Sequence, residues 1–140
     1  MQEGQILVEL LKIVENRRFE QASATLVQAW ISDGVGVESF APVLRFMEEY
    51  PHLDFGAPGP LVHFIERVAG NGEEQDAEYE RELAASIERK PTPHTAWLLN
   101  RLINSLDGPK KQFYTDLLQR SLSNPNADAD TVQVIHEFLE

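Results

Sequence analysis

The residues best suited to chemistry in this sequence are carboxylates that lie close together in the chain. The segment from residue 73 to residue 82 holds six of them, namely Glu73, Glu74, Asp76, Glu78, Glu80 and Glu82. Carboxylates can transfer protons, bind hard metal ions or attract a cationic partner. Proton transfer needs two of them in one water-poor cleft with pKa values driven apart, and linear spacing does not provide that. These six residues, called the acidic run below, therefore indicate first of all a charged surface.

The other residue types that carry catalysis or metal binding form no motif. The chain has no cysteine, and its four histidines share no i, i+3 or i+4 spacing: His52, His63, His94 and His136. Zinc sites need such clustered nitrogen or sulfur ligands. No serine lies in a Gly-x-Ser-x-Gly turn, and no glycine spacing matches a phosphate-binding loop. We therefore predict no catalytic residue, no metal site and no cofactor, and a protein that is not an enzyme.

The composition predicts a folded, acidic protein. Net charge is −11, from 23 acidic and 12 basic residues, and the two halves of the sequence carry −5 and −6 of it. Such a field repels phosphate groups, so we expect no nucleic-acid or membrane partner and favour a basic protein partner. The N-terminus lacks a signal-peptide pattern, and no segment approaches the ~20 apolar residues of a membrane span. We expect a cytoplasmic location.

Apolar residues recur at steps of three and four along almost the whole chain, which predicts an all-α fold. Eight helices are predicted, at about residues 5–16, 19–30, 40–50, 60–69, 74–89, 93–106 and 109–122, with the last following Pro125. The inward stripe of the second helix is predicted as Phe19, Ala22, Leu26 and Ala29 or Trp30. That of the seventh is predicted as Phe113, Leu117, Leu118 and Leu122. The first helix is predicted to turn Ile6, Leu7, Leu10, Leu11 and Val14 to one side.

Glycine and proline mark the ends of these helices. Gly34 follows the second helix, Pro60 suits the first position of the fourth, and Thr92 is a cap before Pro93 in the sixth. Short turns imply antiparallel neighbours and hence four stacked hairpins, whose starts near residues 5, 38, 74 and 109 recur regularly. We predict a single domain over residues 1–140, built as a HEAT-like α-solenoid or as an irregular helical bundle.

Two faces are candidate binding surfaces, and each has two interpretations. Like charges one turn apart in the acidic run disfavour a helix slightly, while the helix macrodipole favours acids at its start. The run is therefore either a solvated helix start or a docking surface for lysine and arginine. In the sixth helix Trp97, Arg101 and Asn104 share one face, which either joins neighbouring repeats or anchors a partner. The predicted partner-binding residues are Glu73, Glu74, Asp76, Glu78, Glu82, Trp97, Arg101 and Asn104.

Two stretches resemble segments of known proteins. They are Asp54-Phe55-Gly56-Ala57-Pro58-Gly59-Pro60-Leu61-Val62-His63-Phe64-Ile65-Glu66 and Pro91-Thr92-Pro93-His94-Thr95-Ala96-Trp97-Leu98-Leu99-Asn100-Arg101. Together with the size and acidity of the chain, they resemble the small helical immunity proteins of bacterial toxin–immunity systems, some of which have HEAT-like repeats. The resemblance implies a cytoplasmic protein that binds a cognate toxin domain, often a basic nuclease, and blocks its active site.

Two functional hypotheses follow. The leading one is an immunity protein that neutralises a basic toxin domain through its acidic surface. The alternative is a HEAT-like scaffold or adaptor that binds a peptide or helix on a concave face through Trp97, Arg101 and Asn104. An enzyme ranks third, because no nucleophile, metal set or phosphate loop can be named.

Overall fold

The chain is all-helical, as the periodicity predicts. A computed structural model describes residues 1–140 and contains eight α-helices and two short 3₁₀ helices, but no strand. The α-helices are α1 (Glu3–Ile13), α2 (Phe19–Ser32), α3 (Phe40–Glu49), α4 (Pro60–Ala69), α5 (Glu73–Arg89), α6 (Pro93–Asn104), α7 (Gly108–Arg120) and α8 (Ala129–Leu139). The 3₁₀ helices precede α3 and follow α7, at Val37–Ser39 and Ser121–Ser123.

Local signals position the helix starts. α4 and α6 begin at Pro60 and Pro93, where the missing proline N–H would have had no helical acceptor. Thr92 caps α6, because its Oγ1 accepts the Thr95 N–H at 3.1 Å while Thr95 Oγ1 accepts the Thr92 N–H at 3.0 Å. This reciprocal pair satisfies two donors that a helix start otherwise leaves without partners.

The chain forms two compact units. Unit 1 comprises residues 1–46 and 53–82, and unit 2 comprises residues 47–52 and 83–140. In unit 1, α2 packs against α1 and α4. Its core contains Phe19, Phe46 and Phe55, whose ring centroids lie 5.8–6.0 Å apart. The fully buried Trp30 adds to this core and donates its indole N–H to Glu9 Oε2 at 2.7 Å.

In unit 2, α6 packs against α7 and α8, and a buried carboxylate fixes the end of α5. Glu48 accepts hydrogen bonds from Ser86 Oγ at 2.7 Å, from Arg89 Nη2 at 2.8 Å and from Arg89 Nε at 3.1 Å. The last carbonyls of α5 also have partners, because Asn124 Nδ2 donates to Glu88 O and Asn126 Nδ2 to Arg89 O, both at 2.9 Å. The buried Glu48 carboxylate is therefore compensated by a cation and a hydroxyl, and the last carbonyls of α5 have protein partners.

The predicted inward stripe of α2 is confirmed at Phe19 and Trp30 but wrong by one position between them. The buried residues are Phe19, Ser23, Val27 and Trp30, whereas Ala22 and Leu26 are only half-buried and Ala29 is exposed. The two large rings at either end of the helix decide its rotation, since burying them removes most apolar surface from water. Ser23 can follow them inward because its hydroxyl donates to Glu20 O at 2.8 Å.

The predicted stripes of α7 and α1 are also wrong in part. Phe113 is 58% exposed, and the buried side of α7 is formed by Tyr114, Leu117 and Leu118. Phe113 lies about a quarter-turn away from the centre of that side, because successive residues are about 100° apart around the helix. In α1, Ile6 and Leu10 are buried, but Leu11 is 41% exposed.

The turn between α3 and α4 depends on two glycines. Gly56 and Gly59 both have positive φ angles, of 98° and 87°, which side chains disfavour. At Gly59 there is also no space, since a Cβ would lie 1.7 Å from the carbonyl oxygen of Phe55. This close approach delivers Phe55 to the aromatic core and lets α4 begin at the next residue, Pro60.

Replacing Gly59 by alanine should destabilise the protein more than the same change at Gly34. Gly34 also has a positive φ, of 72°, but has open space around the position of a Cβ, so Gly34→Ala measures the backbone cost alone, about 1–2 kcal/mol. In Gly59→Ala, the steric overlap of the new Cβ with the Phe55 carbonyl oxygen is added to this backbone cost. Urea unfolding of both variants tests this, and equal losses in the free energy of unfolding would show that the loop relaxes without cost.

Candidate functional site

The structure divides the acidic run around α5. Glu73, Glu74 and Asp76 lie in the first turn and are exposed, while Glu78 and Glu82 are half-buried. Glu80 is buried, at 7% exposure. The inward side of the helix carries Tyr79, Leu83 and Ile87. Glu80 directly follows Tyr79 and is therefore rotated by only about 100° from it around the helix axis. The surface formed by the run is therefore its first turn and one flank.

One charge of that flank is compensated locally. Glu78 forms an ion pair with Arg81, one turn further along α5. An exposed pair of this kind is worth little for stability, but it leaves less of the Glu78 charge for a partner. The three exposed carboxylates of the first turn thus remain the strongest acidic feature of α5.

Most of the net negative charge belongs to unit 1. That unit contains 14 acidic and 6 basic residues, whereas unit 2 contains 9 and 6. The even division between the two halves of the sequence hides this difference, because the acidic run lies in the second half of the sequence but in unit 1. A cationic molecule therefore meets its strongest attraction at unit 1.

The predicted face of α6 is partly assembled. The guanidinium carbon of Arg101 lies 5.2 Å from the centroid of the Trp97 ring, and the His94 ring lies 5.3 Å from it. All three side chains are half-buried, and the Trp97 ring contacts neighbours one turn away in both directions along α6. Asn104, the last residue of α6, is exposed. The arrangement is a cation–π stack with a polar end.

Exposed apolar side chains are the feature that sequence reasoning missed. Phe113 is exposed on α7, and Val8 is 50% exposed on α1, one turn from Leu11. The sequence does contain a signal that Phe113 faces outwards. Its neighbour Tyr114 fits the helical spacing of the buried residues Leu117, Leu118 and Ser121 better than Phe113 does. Large contiguous apolar patches mark interaction sites, whereas apolar residues exposed singly, such as Phe113, are common on protein surfaces.

Carboxylates with shifted pKa values serve local structure. Burial alone would raise the pKa of Glu38, but backbone N–H groups of Glu38 and Gly36 and the N-terminal ammonium outweigh it and lower that pKa. Hydrogen bonds from the Thr131 N–H and hydroxyl lower the pKa of Asp128, the cap of α8, and His52 adds to the effect. No group of three or more histidine, aspartate or glutamate side chains is arranged to hold a metal ion.

Comparison with known proteins gives no relative of this chain. No protein-family model matches the sequence, and neither curated proteins nor solved structures provide a match. No helix has both the length and the apolar character that crossing a lipid bilayer requires.

Removing the Asp128 carboxylate should weaken the start of α8 in a pH-dependent way. We expect Asp128→Ala to lower the free energy of unfolding by about 0.5–2 kcal/mol near neutral pH, the usual value of such a cap. Because the pKa of Asp128 is lowered in the folded protein, its charged carboxylate stabilises the fold at pH values above the ordinary aspartate pKa. This stabilisation is lost as the pH falls through the folded-state pKa. The difference from wild type should therefore shrink in acid.

Urea unfolding at neutral and acidic pH measures this difference. The matched control is Asp130→Ala, which removes an exposed carboxylate from the first turn of the same helix. An equal loss in the control, or a loss that does not change with pH, would contradict the capping role.

Proposed function

We propose that the chain is a non-catalytic binding protein of the immunity type, acting in the cytoplasm, which neutralises a cognate basic toxin domain through the acidic surface of unit 1. One observation carries the proposal. Unit 1 has more than twice as many acidic as basic residues, and Glu73, Glu74 and Asp76 are exposed together on the first turn of α5. The sequence resemblance to helical immunity proteins gives the class of partner.

The physical basis is electrostatic complementarity. A domain that acts on nucleic acid presents cations where the phosphate groups bind, and carboxylates are attracted to the same cations. Long-range attraction raises the rate of encounter, and complementary charges fix the orientation in which the two surfaces meet. Inhibition then needs no turnover, because a protein that covers the cationic site excludes its substrate.

Within the acidic run the residues have different expected roles. The first-turn carboxylates of Glu73, Glu74 and Asp76 face water, so they give up no packing within the protein when they approach a cationic surface. Glu78 has Arg81 as a competing partner, and Glu82 is half-buried, so both should contribute less. Glu80 points towards the interior and should not contact the partner.

Reversing the exposed charges should slow association. The test variant combines Glu73→Lys, Glu74→Lys and Asp76→Lys, and its association rate constant with a toxin-like basic protein encoded nearby is measured over a range of salt concentrations. We expect this rate constant to fall by about tenfold at low salt and to depend less steeply on salt than in wild type. Growth of cells that express the same basic protein together with either variant measures protection.

The matched control reverses three exposed carboxylates of unit 1 outside the acidic run: Glu3→Lys, Glu15→Lys and Asp33→Lys. It changes the net charge equally, and Glu3 lies in the first turn of α1, so it also shares part of the macrodipole cost. Circular dichroism checks that both variants fold. An unchanged association rate constant at low salt, or equal slowing in the control, would contradict the role of the acidic run.

The Trp97 stack supports a second candidate, a scaffold or adaptor that binds a peptide or helix. His94 and Arg101 already order the ring, so little side-chain entropy would be lost when a partner packs on it. Tryptophan and arginine also dominate the binding energy of many interfaces. Asn104 would supply hydrogen bonds at the exposed end of this face.

Under the second candidate, Trp97→Ala should weaken binding of a captured partner more than the triple charge reversal does. Under the immunity proposal the order of the two effects is the opposite. Dissociation constants of both variants for one purified partner decide between them, and Asn104→Ala serves as a change on the same face that leaves the stacked ring in place.

A further inference from the structure

The loop between α4 and α5 contains an asparagine followed by a glycine, Asn71-Gly72. The backbone nitrogen that follows an asparagine can attack the carbon of its side-chain amide. A glycine at the second position leaves that approach open, because it has no Cβ. Of the six asparagines in the chain, Asn71 is the one that glycine follows. The reaction also needs an accessible side chain and a peptide group that can rotate.

The fold leaves this peptide group free to rotate. Asn71 is exposed, and its side chain makes no hydrogen bond within the protein. Neither the carbonyl of Asn71 nor the N–H of Gly72 has a protein partner. The groups on either side do have partners, since the Asn71 N–H donates to Val68 O at 3.2 Å and Gly72 O accepts the Asp76 N–H at 3.0 Å. The peptide group between them can therefore turn towards the Asn71 side chain without breaking a protein hydrogen bond.

The other asparagines lack this combination. Side-chain hydrogen bonds to the backbone hold three of them, Asn16, Asn124 and Asn126. Asn100 and Asn104 lie in α6, and the N–H that follows Asn104 donates to Leu102 O at 3.0 Å. A free side chain beside a free glycine N–H thus occurs at Asn71.

We propose that Asn71 is a site of spontaneous deamidation in the folded protein. The Gly72 nitrogen loses its proton and bonds to Asn71 Cγ, and the side-chain nitrogen takes up a proton and leaves as ammonia. Water then opens the cyclic imide at either of its two carbonyls. Opening at the side-chain carbonyl gives aspartate, and opening at the main-chain carbonyl gives isoaspartate, in which the chain runs through Cγ. One water enters for each ammonia that leaves, and no oxidant or reductant is needed.

Both products place a carboxylate directly before the acidic run. The new charge precedes the exposed carboxylates of Glu73 and Glu74 and makes the net charge of −11 more negative by one. It lies ahead of the first turn of α5, where the helix macrodipole stabilises an anion. The modification does not depend on the proposed function. Only its effect on binding rests on that proposal, under which the modified protein associates faster with a basic partner.

Ageing of the purified full-length protein tests the site. Wild type is incubated at neutral and at mildly alkaline pH, digested with trypsin and analysed by chromatography with mass spectrometry. Residues 68–81 form one tryptic peptide, in which Asn71 is the only asparagine. We expect this peptide to convert into two products of equal mass, aspartate and isoaspartate, faster at the higher pH because the attacking nitrogen must lose its proton. The peptide of residues 102–110, which contains Asn104, should stay intact.

A synthetic peptide of residues 68–81 gives the rate of conversion without the fold. We expect the folded protein to convert at a comparable rate. Conversion of the free peptide while the protein stays intact would show that the fold protects Asn71, and would overturn the proposal. Conversion to aspartate alone would overturn it too, because direct hydrolysis of the side-chain amide does not use the Gly72 nitrogen.

Two glycine variants identify the attacking nitrogen. Gly72→Ala should remain unconverted over the time in which wild type converts by half, because the new Cβ hinders the approach. That Cβ meets Gln75 Oε1 at 2.6 Å, the end of a flexible side chain that can move aside, and Gly72 has no positive φ angle. The matched control is Gly70→Ala, on the other side of Asn71, where a Cβ has ordinary contacts and the rate should not change. Equal slowing in both variants would contradict attack by Gly72, and unfolding curves check that both fold.

Discussion

The end of α5 is the constraint on which unit 2 depends. A helix end leaves carbonyl groups without partners, and here it also meets the buried carboxylate of Glu48. Arg89 and Ser86 neutralise and hydrogen-bond that carboxylate, while Asn124 and Asn126 take the carbonyls. Removing Arg89 would leave the largely buried Glu48 carboxylate without its cation, which is destabilising, but the 32% exposure of the Arg89 side chain keeps the cost below that of a fully buried pair. The polar network therefore fixes where α5 stops and where the segment before α8 runs.

The same network shapes a surface. Asn124, which binds the last turn of α5, also lines a cleft beside Leu117 and Arg120. One wall of the cleft is thus formed by a residue that also satisfies the end of α5.

The number, order and starts of the helices could be predicted because their determinants are local. Thr92 and Pro93 begin α6 through contacts within one turn, and α5 begins at its acidic residues as expected. The rotation of a helix about its axis is different, because it depends on what the helix packs against. For that reason Ser23 lies in the core where Ala22 was predicted. Likewise, Phe113 faces outwards while Tyr114 faces inwards.

The candidate site follows the same rule. The sequence identifies six neighbouring carboxylates but does not distinguish buried Glu80 from exposed Glu74, since the difference arises from the position of Tyr79 on the inner side of α5. The contact between Trp97 and Arg101 was predictable from their spacing of four residues, whereas the cleft beside Leu117 and Arg120 was not. Its walls come from α5, from α7 and from the segment after α7, and no local pattern brings them together.

Gly59 has a consequence for tracing the ancestry of this protein. Because even a methyl group at that position would overlap the Phe55 carbonyl, the position is closed to every other amino acid as long as the turn keeps its path. Surface residues drift freely, but a sterically forced glycine followed by the first proline of a helix does not. We expect any relative that keeps this turn to keep glycine at the position of Gly59, because that position carries the steric requirement.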